Sequence, residues 1–379
     1  MLSAVGVIAE FNPFHNGHRY LLRTARRVTR ADAVVVVMSG NWVQRGQPAV
    51  VDKWQRTRMA LRYGADLVVE LPVQFAVQSA GIFASRAVSL VDQLKCRNLA
   101  FGCEHSDWDF DRLARVKLRA NPRWFKNYRL PYADLARKAF RRQTGISVTQ
   151  PNDLLALNYA RAKRALSAPV KLWPVQRNDQ HSRAEVNLKS EFSSSTALRR
   201  RLFSTRKRAA LARWVPNGCL ADLVRPWFSW RWFWPELRYR LVESSPGELR
   251  AVYQMREGLE FRLKRGAVRS VTFRQFIRAV KTKRYTYSSL MRLCFYVLIN
   301  FKKSNWLRVQ NRQYLRILGF NRTGQRYLSQ IKKRVTVPMI TNVNQQALER
   351  DLEWDFRAGM LLEMKNHRYE DLYRHPVIK

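Results

Sequence analysis

Two histidines three positions apart, His15 and His18, follow a short apolar segment near the amino end of the chain. Gly17 lies between them, and its lack of a side chain lets the backbone approach a ligand closely. A helix that begins near Gly17 would direct free N–H groups and its positive dipole end at an anion, and both imidazoles could add donors. The spacing therefore predicts a nucleotide-phosphate site, with a core strand followed by an ordinary turn as the alternative.

Further polar segments could complete such a site. The loop at 39–46 is rich in amide side chains and glycine, and Gly102 is placed for close backbone approach to a flat base or ribose. Asn152 opens a helical stretch, where it is either a helix cap or a donor to a ligand. Hydroxyl groups at 193–196 precede Arg199 by about one helical turn, an arrangement that can bind phosphate through backbone, hydroxyl and guanidinium together.

The elements that must position these residues alternate between strand and helix over roughly the first 200 residues. Apolar strands are predicted around residues 5–8 and at 33–38, 66–71 and 98–101, with helices at 53–63 and 79–94. This alternation of strands and helices predicts a parallel sheet covered by helices on both faces. Ligands of such sheets bind beyond the carboxyl ends of the strands, and His15, His18, Gly40 and Gly102 all follow predicted strands.

The charge balance indicates a polyanionic partner. The 379 residues include 70 Lys and Arg but only 28 Asp and Glu, which gives a net charge of +42 and strong self-repulsion. Nucleic acid is the leading partner, and an anionic membrane surface is the competitor. Because we find no long apolar run, signal-peptide pattern or lipidation motif, we expect a cytosolic protein without membrane insertion. The four cysteines are scattered, which favours reduced thiols over disulfides or a zinc site.

The second half of the chain is predicted to be mostly helical and to bind RNA. Aromatic residues crowd 227–234, which indicates a packed junction between helices. Residues 261–348 contain 20 Lys or Arg and no Asp or Glu. Within that stretch, basic and aromatic side chains alternate in a way that suits phosphate contact beside base stacking, and the predicted RNA-binding residues are Lys281, Lys283, Arg284 and Tyr285. A basic surface without a dedicated ligand is the alternative.

Seven segments, taken in order, resemble the bacterial tRNA(Met) cytidine acetate ligase family. That family's amino-terminal half belongs to the nucleotidyltransferase-like superfamily with a His-x-Gly-His signature. The segments lie at 10–18, 39–46, 101–104, 194–199, 256–260, 281–287 and 318–321. The resemblance implies an α/β fold in which residues 1–210 form a Rossmann-like, ATP-binding catalytic domain. It also implies that residues 211–379 form a helical, basic tRNA-binding domain.

The resemblance further implies a reaction. Acetate and ATP would form acetyl-adenylate and pyrophosphate, and the acetyl group would pass to N4 of the wobble cytidine of elongator tRNA(Met), without acetyl-CoA as donor. The residues that it assigns to ATP are Val7, Ile8, Ala9, Glu10, Phe11, Asn12, Pro13, Phe14, His15, Asn16, Gly17, His18, Arg19, Tyr20, Gly102, Asn152 and Arg177. We predict His15, His18 and Arg199 as catalytic groups at the phosphates, with Ser195 and Thr196 beside them. Mg²⁺ is expected to bridge phosphates without a protein cage.

Other functions remain open from the sequence. A small-molecule adenylyltransferase of coenzyme biosynthesis would leave the acid-free stretch at 261–348 without a purpose. A catalytically inactive RNA-binding protein would not need His15, Gly17 and His18 intact. A metal site built from His15, His18, Cys103 and His105 would lack a second cysteine pair. The chain also departs from the family pattern at 178–181, which leaves ligand contacts just after Arg177 undefined.

Overall fold

The computed structural model describes residues 1–117, 132–166, 170–178, 185–256 and 258–379. The strands are β1 (Ala4–Ala9), β2 (Ala33–Ser39), β3 (Trp42–Val43), β4 (Gln47–Pro48), β5 (Leu67–Leu71), β6 (Asn98–Cys103), β7 (Lys171–Gln176), β8 (Leu315–Phe320), β9 (Met339–Ile340) and β10 (Val377–Ile378).

The first group of helices surrounds the amino-terminal strands. It comprises α1 (Asn16–Thr29), α2 (Lys53–Arg62), α3 (Val73–Ala76), α4 (Ala80–Gln93), α5 (Phe110–Ala114), α6 (Tyr132–Thr144), α7 (Pro151–Lys163) and α8 (Ser195–Thr205). The later helices are α9 (Asn217–Asp222), α10 (Trp230–Glu243), α11 (Pro246–Ala251), α12 (Leu259–Arg269), α13 (Phe273–Val280), α14 (Tyr287–Leu298), α15 (Lys303–Val309), α16 (Arg322–Ile331), α17 (Gln345–Ala347), α18 (Glu353–Asn366) and α19 (Glu370–Tyr373).

One central sheet has the order β10-β8-β5-β2-β1-β6-β7, with β9 beside β8. The pairs that join β5, β2, β1, β6 and β7 are all parallel, which confirms the predicted parallel sheet. The chain order reverses at β1, because β2 lies on one side of it and β6 on the other. Such a reversal opens a crevice at the carboxyl ends of the strands, where ligands bind.

Side chains of β2 alternate between the two faces of the sheet. Val35 and Val37 pack into the core that contains α4 and α7, whereas Val34 and Val36 pack into the core beneath α1 and α2. Alternation with a period of two is what an extended strand imposes, and burial on both faces explains its unbroken run of apolar residues. The helices on each face fix where the ends of the strands, and therefore the site residues, can lie.

The carboxyl-terminal half is mostly helical, as predicted, but it also contributes strands to the central sheet. Strand β8 runs antiparallel to β5, and β10 pairs with β8. The sheet therefore includes residues beyond 210, where the sequence predicts the helical region to begin. The signal for β8 is weak because Arg316 interrupts its apolar run, and only the fold supplies the buried carboxylates of Glu70 and Asp371 that pair with this arginine.

The tryptophan-rich segment forms a packed junction, as predicted. Trp230, Phe233 and Trp234 are buried in the core of the carboxyl-terminal helices. Trp42, from the β3–β4 hairpin, enters the same core, with its ring centroid 5.3 Å from that of Trp230. This contact joins the amino-terminal loop at 39–46 to the helical half.

Two predictions made from the composition concern the cysteines and the absence of membrane-spanning segments. All four cysteines are buried free thiols, and burial raises the pKa of Cys96 to about 12. Within the described parts of the chain, every helix is too short or too polar to cross a membrane.

Candidate functional site

A cleft of about 1350 Å³ opens at the carboxyl ends of β1 and β6. The predicted site residues that line it are Ile8, Ala9, Glu10, Phe11, Asn12, His15, Gly17, His18, Tyr20, Gly102, Asn152, Arg177, Ser195, Thr196 and Arg199. The other residues predicted to bind ATP, Val7, Pro13, Phe14, Asn16 and Arg19, do not line the cleft. Of the predicted RNA-binding residues, Arg284 and Tyr285 line the same cleft, whereas Lys281 and Lys283 lie outside it.

The turn between β1 and α1 is held by an aromatic cluster. Phe11 is fully buried with a φ of +48°, a left-handed conformation that is rare for a bulky residue. Its ring lies 4.9 Å from that of Phe14 and 4.9 Å from that of His18, measured between centroids. Strained backbone of this kind persists only where the surroundings determine it, and here it directs the chain toward the histidines.

His15 caps helix α1 and reaches helix α8. Its Nδ1 accepts a hydrogen bond from the backbone N–H of Gly17 at 3.1 Å, so in the neutral ring the proton must be on Nε2. That Nε2–H donates to the hydroxyl oxygen of Ser195 at 3.0 Å. A Cβ at Gly17 would lie 2.9 Å from Cε1 of His15. Gly17 therefore makes room for the histidine ring and also lines the cleft.

His18 is the imidazole with a donor left for a ligand. Its Nδ1 accepts from the backbone N–H of His15 at 3.3 Å, and the two rings stack with centroids 3.7 Å apart. The Nε2–H group of His18 has no acceptor among the described residues, and His18 lines the cleft. In the neutral tautomer that this bond selects, Nε2–H is a donor facing the cleft.

Both histidines are neutral near pH 7. Burial, followed by the charge of Arg177, lowers the pKa of His18 to about 3. Burial also lowers the pKa of His15 well below its usual value, and His18, Arg177 and Arg199 lower it further. Because a neutral imidazole with a fixed tautomer is a donor at one nitrogen only, this site presents hydrogen-bond donors without ionised histidines.

Backbone donors were predicted at two helix starts, and only the start of α8 leaves them open. At α1, the N–H groups are already bonded: Asn16 donates to Trp214 O at 2.8 Å, and Gly17 donates to His15. At α8, Ser194 caps the N–H of Ala197, and within the described chain the N–H groups of Ser195 and Thr196 have no acceptor. The prediction for α1 is therefore wrong, because Trp214 and His15 engage its amides, whereas the serine-rich segment supplies open amides as predicted.

Two arginines add positive charge next to the histidines. Arg199, one turn inside α8, donates to Asn12 O at 2.6 Å and to the Thr196 hydroxyl at 3.3 Å. Burial lowers the pKa of Arg199 to about 10, which leaves it charged near neutrality. Arg177 follows β7 and packs over Gly102, where a Cβ would lie 3.4 Å from its Cγ. The arginines, the α8 amides and His18 together can bind a polyphosphate.

Of the two roles considered for Asn152, helix cap and ligand donor, the structure excludes the cap. Gln150, not Asn152, occupies the cap position of α7, and Asn152 donates through Nδ2 to the Glu104 carboxylate at 2.6 Å. The other oxygen of Glu104 accepts from the backbone N–H of Asp153 at 3.1 Å. Asp153 in turn binds His105 Nδ1 at 2.6 Å. Glu104 thus holds Asn152 at the cleft, a role that the Phe-Gly-Cys-Glu segment alone did not predict.

The described residues form no metal cage. No group of three His, Cys, Asp or Glu side chains converges within those parts of the chain. His105 pairs with Asp153, and Cys103 directs its thiol at Val175 O, so neither joins the histidine pair as the metal alternative required. The cleft carboxylate of Glu10 accepts from the N–H of Gln44 at 3.0 Å.

Other cleft residues were not among the predicted site residues. Gln254 and Arg256 line it from the loop after α11, and Arg292 lines it from α14; of the three, only Arg256 lies in a segment that resembles the family, 256–260. The only sequence signal for Arg292 is its place in the acid-free stretch. The departure from the family pattern at 178–181 lies largely outside the described residues, which include Asn178 alone.

Comparisons with known proteins agree with this geometry. A family model described as HIGH Nucleotidyl Transferase matches residues 2–374. The tRNA(Met) cytidine acetate ligase of Lactiplantibacillus plantarum is 40% identical over 377 residues, covering 99% of this chain and 98% of the relative. That of Levilactobacillus brevis is 42% identical over 380 residues, covering 100% and 98%.

Solved structures show the same architecture. Thermotoga maritima TmcAL in its apo form superposes with a TM-score of 0.88 at 27% identity, covering 100% of this chain and 99% of that one. A second form of that protein, bound with alpha-thio ATP, superposes with a TM-score of 0.87 at 27% identity and the same coverage.

Proposed function

We propose a function from the premise that this chain belongs to the HIGH nucleotidyl transferase family. It is an ATP-dependent tRNA(Met) cytidine acetate ligase. In the first step, a carboxylate oxygen of acetate attacks the α-phosphorus of ATP, which forms acetyl-adenylate and releases pyrophosphate. In the second, N4 of the wobble cytidine of elongator tRNA(Met) attacks the acetyl carbon, which releases AMP and a proton. The tRNA substrate places this reaction in the cytoplasm.

The observation that carries this proposal is that helices α1 and α8 begin next to each other, with the side chains of His15 and Ser195 3.0 Å apart. There, the Nε2–H of His18, the guanidinium of Arg199 and the free amides of α8 supply donors of three kinds. Attack on the α-phosphorus builds negative charge on the phosphoryl oxygens and on the leaving pyrophosphate. Donors fixed in place stabilise that charge, each contributing on the order of a hundredfold or more in rate.

The two histidines act differently in this reaction. His18 donates from Nε2 to a phosphate oxygen, so it is the catalytic residue of the pair. His15 is a positioning residue, because its Nε2–H is engaged with Ser195 and its Nδ1 with Gly17. By accepting from His15, the Ser195 hydroxyl keeps its own proton free to donate toward the phosphates.

The nucleoside end of ATP is assigned to the opposite side of the strand reversal. Gly102 and Asn152 bind adenosine or ribose, with Glu104 holding the Asn152 amide in place. Arg177 extends from β7 over Gly102 and connects this side to the histidines. This assignment is supported by the shared cleft and by the likeness to a structure that binds an ATP analogue.

Mg²⁺ would enter with ATP as part of the substrate and would offset negative charge on the phosphates. The carboxylates nearest the cleft already accept protein hydrogen bonds: Glu10 from Gln44, and Glu104 from Asn152. Because Mg²⁺ requires several oxygen ligands at close range, the protein would supply few of them here.

The tRNA reaches the cleft from the carboxyl-terminal half. A base stacked in a helix cannot present its N4 to the adenylate, so the wobble cytidine must leave the stack. Arg284 and Tyr285 line the cleft, and Lys281 and Lys283 lie outside it on the same basic segment. We assign all four to tRNA contact.

Two other functions are disfavoured. A small-molecule adenylyltransferase would not need a basic half that forms one wall of the cleft. A catalytically inactive RNA-binding protein would not need the bond that joins His15 to Ser195.

The deciding assay supplies labelled acetate, ATP and bacterial tRNA and follows the label into RNA. We expect label in elongator tRNA(Met), at the wobble cytidine, only when ATP and acetate are both present. Label from acetyl-CoA but not from acetate would contradict the proposal. Formation of an adenylylated small molecule without RNA labelling would support the adenylyltransferase instead.

A further inference from the structure

Arg292 is a buried charge without a matching partner. It lies on α14, is 9% exposed, and lines the cleft. Its Nε has no hydrogen-bond acceptor, and its Nη2 makes one long contact to the hydroxyl of Ser289 at 3.5 Å. Within the described ranges, no carboxylate forms an ion pair with it.

Other buried arginines of the chain show how such a charge is normally satisfied. Arg56 donates to backbone carbonyls, including Ser39 O and Glu10 O, both at 2.8 Å. Arg316, 3% exposed, lies 3.5 Å from carboxylates of both Glu70 and Asp371. A buried guanidinium is normally paired, and the described residues offer Arg292 no carboxylate, which favours an external anion as its partner.

The start of α14 supplies further donors beside Arg292. Thr286 caps this helix by accepting the N–H of Ser289 at 3.1 Å, and in the described structure the N–H groups of Tyr287 and Ser288 have no acceptor. Helix α8 has a similar arrangement, with two open N–H groups after a hydroxyl cap and a half-buried arginine, Arg199, about one turn inside. The cleft therefore has two anion-binding helix starts, and the triphosphate accounts for the one at α8.

Arg45 connects the two anion-binding helix starts. It lines the cleft from the β3–β4 hairpin, and its charge lowers the pKa of both Arg199 and Arg292, so it lies within electrostatic range of both. The hairpin and α14 touch directly, since a Cβ at Gly46 would lie 2.5 Å from the backbone nitrogen of Arg292. Positive charge thus continues from the phosphate side of the cleft to α14.

We propose that Arg292, the open amides of α14 and Arg45 bind a phosphodiester of the RNA backbone next to the reacting cytidine. This inference rests on the proposed function and names the contact that positions the target nucleotide. An RNA backbone is favoured over a second part of ATP because α14 belongs to the acid-free stretch at 261–348, which leads outward through Arg284 to Lys283 on the surface. A positive path from the surface to the cleft suits a polyanion that extends beyond the cleft.

The test is a double-mutant cycle between protein and RNA. Synthetic anticodon stem-loops of tRNA(Met) carry one neutral methylphosphonate at each phosphate that flanks the wobble cytidine, and binding is measured with wild type and Arg292→Met. We expect Arg292→Met to weaken binding of unmodified RNA about tenfold and to reduce the salt slope by roughly one unit. At one flanking phosphate, the methylphosphonate should weaken wild type by a similar factor and leave Arg292→Met unaffected.

Controls separate this contact from general charge and from ATP. Arg326→Met removes an exposed arginine of the same basic stretch on α16 and should not couple to either flanking phosphate. Acetate-dependent ATP–pyrophosphate exchange, which needs no RNA, reports on the ATP side. If Arg292→Met raises the KM for ATP as much as it weakens RNA binding, the site serves the triphosphate and the proposal is wrong.

The remaining outcomes also decide the proposal. Additive effects of Arg292→Met and the methylphosphonate at both positions would overturn it. If Arg292→Met does not fold, Arg292→Lys enters the same cycle, where coupling above about twofold supports the contact and additivity overturns it. A wild-type protein that binds the stem-loop with this coupling but transfers no acetyl group would refute the proposed function, not the phosphate site.

Discussion

The imidazole Nε2 of His15 and the hydroxyl oxygen of Ser195 lie 3.0 Å apart, although 180 residues separate them in the chain. This bond joins the start of α1 to the start of α8, so the histidine motif and the serine-rich segment lie side by side in the proposed phosphate site. His15 can reach Ser195 only while its other nitrogen holds the N–H of Gly17. The geometry of the site therefore depends on residues that contact each other and not on the ligand alone.

Replacing Gly17 with alanine should disable the reaction with little loss of stability. The added Cβ would lie 2.9 Å from Cε1 and 3.0 Å from Nδ1 of His15, so the ring must move and lose its bond to Ser195. A displacement of about 1 Å at such a site costs roughly a hundredfold in rate. Loss of the cap costs about 1 kcal/mol in the free energy of unfolding. ATP–pyrophosphate exchange and thermal unfolding measure the two effects.

Gly247→Ala is the matched control for this substitution. Gly247 is also in the first turn of a helix, α11, but a Cβ added there would lie 3.9 Å from Ser245 Oγ, which is an ordinary contact distance. We expect unchanged exchange activity and equal or slightly higher stability. A Gly17→Ala enzyme with normal activity would show that the position of the His15 ring is not required.

Replacing His18 should separate adenylation from tRNA binding. His18→Ala removes the Nε2–H donor and is expected to lower acetyl-adenylate formation at least a hundredfold, while tRNA affinity stays within a few-fold. His18→Gln keeps a neutral donor and an acceptor for the His15 N–H, so it should retain more activity. Single-turnover adenylation and filter binding provide the two measurements. Equal loss of adenylation and tRNA affinity in His18→Ala would mean that the histidine is structural.

The neutral His18 should make stability fall in acid. Its pKa is about 3 in the folded chain and about 6.5 when unfolded, so between those values only the unfolded chain binds the proton. The contribution of His18 is therefore complete above pH 6.5 and is lost as the pH falls toward 3. From pH 7 to pH 5, wild type should lose about 2 kcal/mol more unfolding free energy than His18→Gln.

The comparison with His18→Gln is needed because other groups have the opposite pH dependence. Burial raises the pKa of Asp355 and of Glu363 to about 7, so these carboxyls favour the folded chain at lower pH. Both are present in each variant and cancel in the difference. Urea denaturation at a series of pH values gives the free energies, and parallel curves for the two proteins would contradict a neutral His18.

Lys53 should be essential for stability, because its ion pairs are buried in the protein and not exposed on its surface. Its Nζ lies 2.8 Å from Glu70 Oε2 and 2.6 Å from Asp371 Oδ1, and all three side chains are buried. Lys53→Met would leave two buried carboxylates with only Arg316, which should cost about 3–5 kcal/mol. Arg308→Met, which breaks the exposed pair with Glu353, should cost less than about 1 kcal/mol. Similar losses in urea unfolding would refute the distinction.

Neutralising Lys281, Lys283 and Arg284 together should weaken tRNA binding and flatten its salt dependence. If each contacts a phosphate, the slope of log affinity against log salt should fall by about two to three units. The measurement is filter binding of tRNA(Met) between low and moderate salt. A slope equal to that of wild type would remove this segment from the tRNA surface.

The sequence was sufficient for four strands of the sheet, β1, β2, β5 and β6, and for the motifs. Unbroken apolar runs such as 33–38 can be buried only in a sheet covered on both faces, and β2 is such a strand. Likewise, the hydroxyl cluster before Arg199 predicted the start of α8, because Ser194 is a strong helix cap. These features depend on residues that are close together in the chain, so a local sequence pattern is enough to predict them.

The partners of charged side chains could not be predicted from local sequence patterns. The pairing of Lys53 with Asp371 spans most of the chain, and no spacing rule connects the two positions. The partners of Arg316 are also distant in the chain, and its charge interrupts the apolar run that would have predicted strand β8. Long-range pairing depends on which surfaces the fold brings together, and that information is not present in any one segment.

The sequence by itself determined the strand, turn, glycine and histidines of one short segment, and from them it predicted a phosphate site after β1. Only the tertiary structure decided which groups in that site are free to act. Folding engages the amides of α1 with Trp214 and His15, and it leaves open those of α8 and the Nε2–H of His18. A hydrogen-bonding group serves a ligand only when no protein partner occupies it, and those partners are set by contacts between distant parts of the chain.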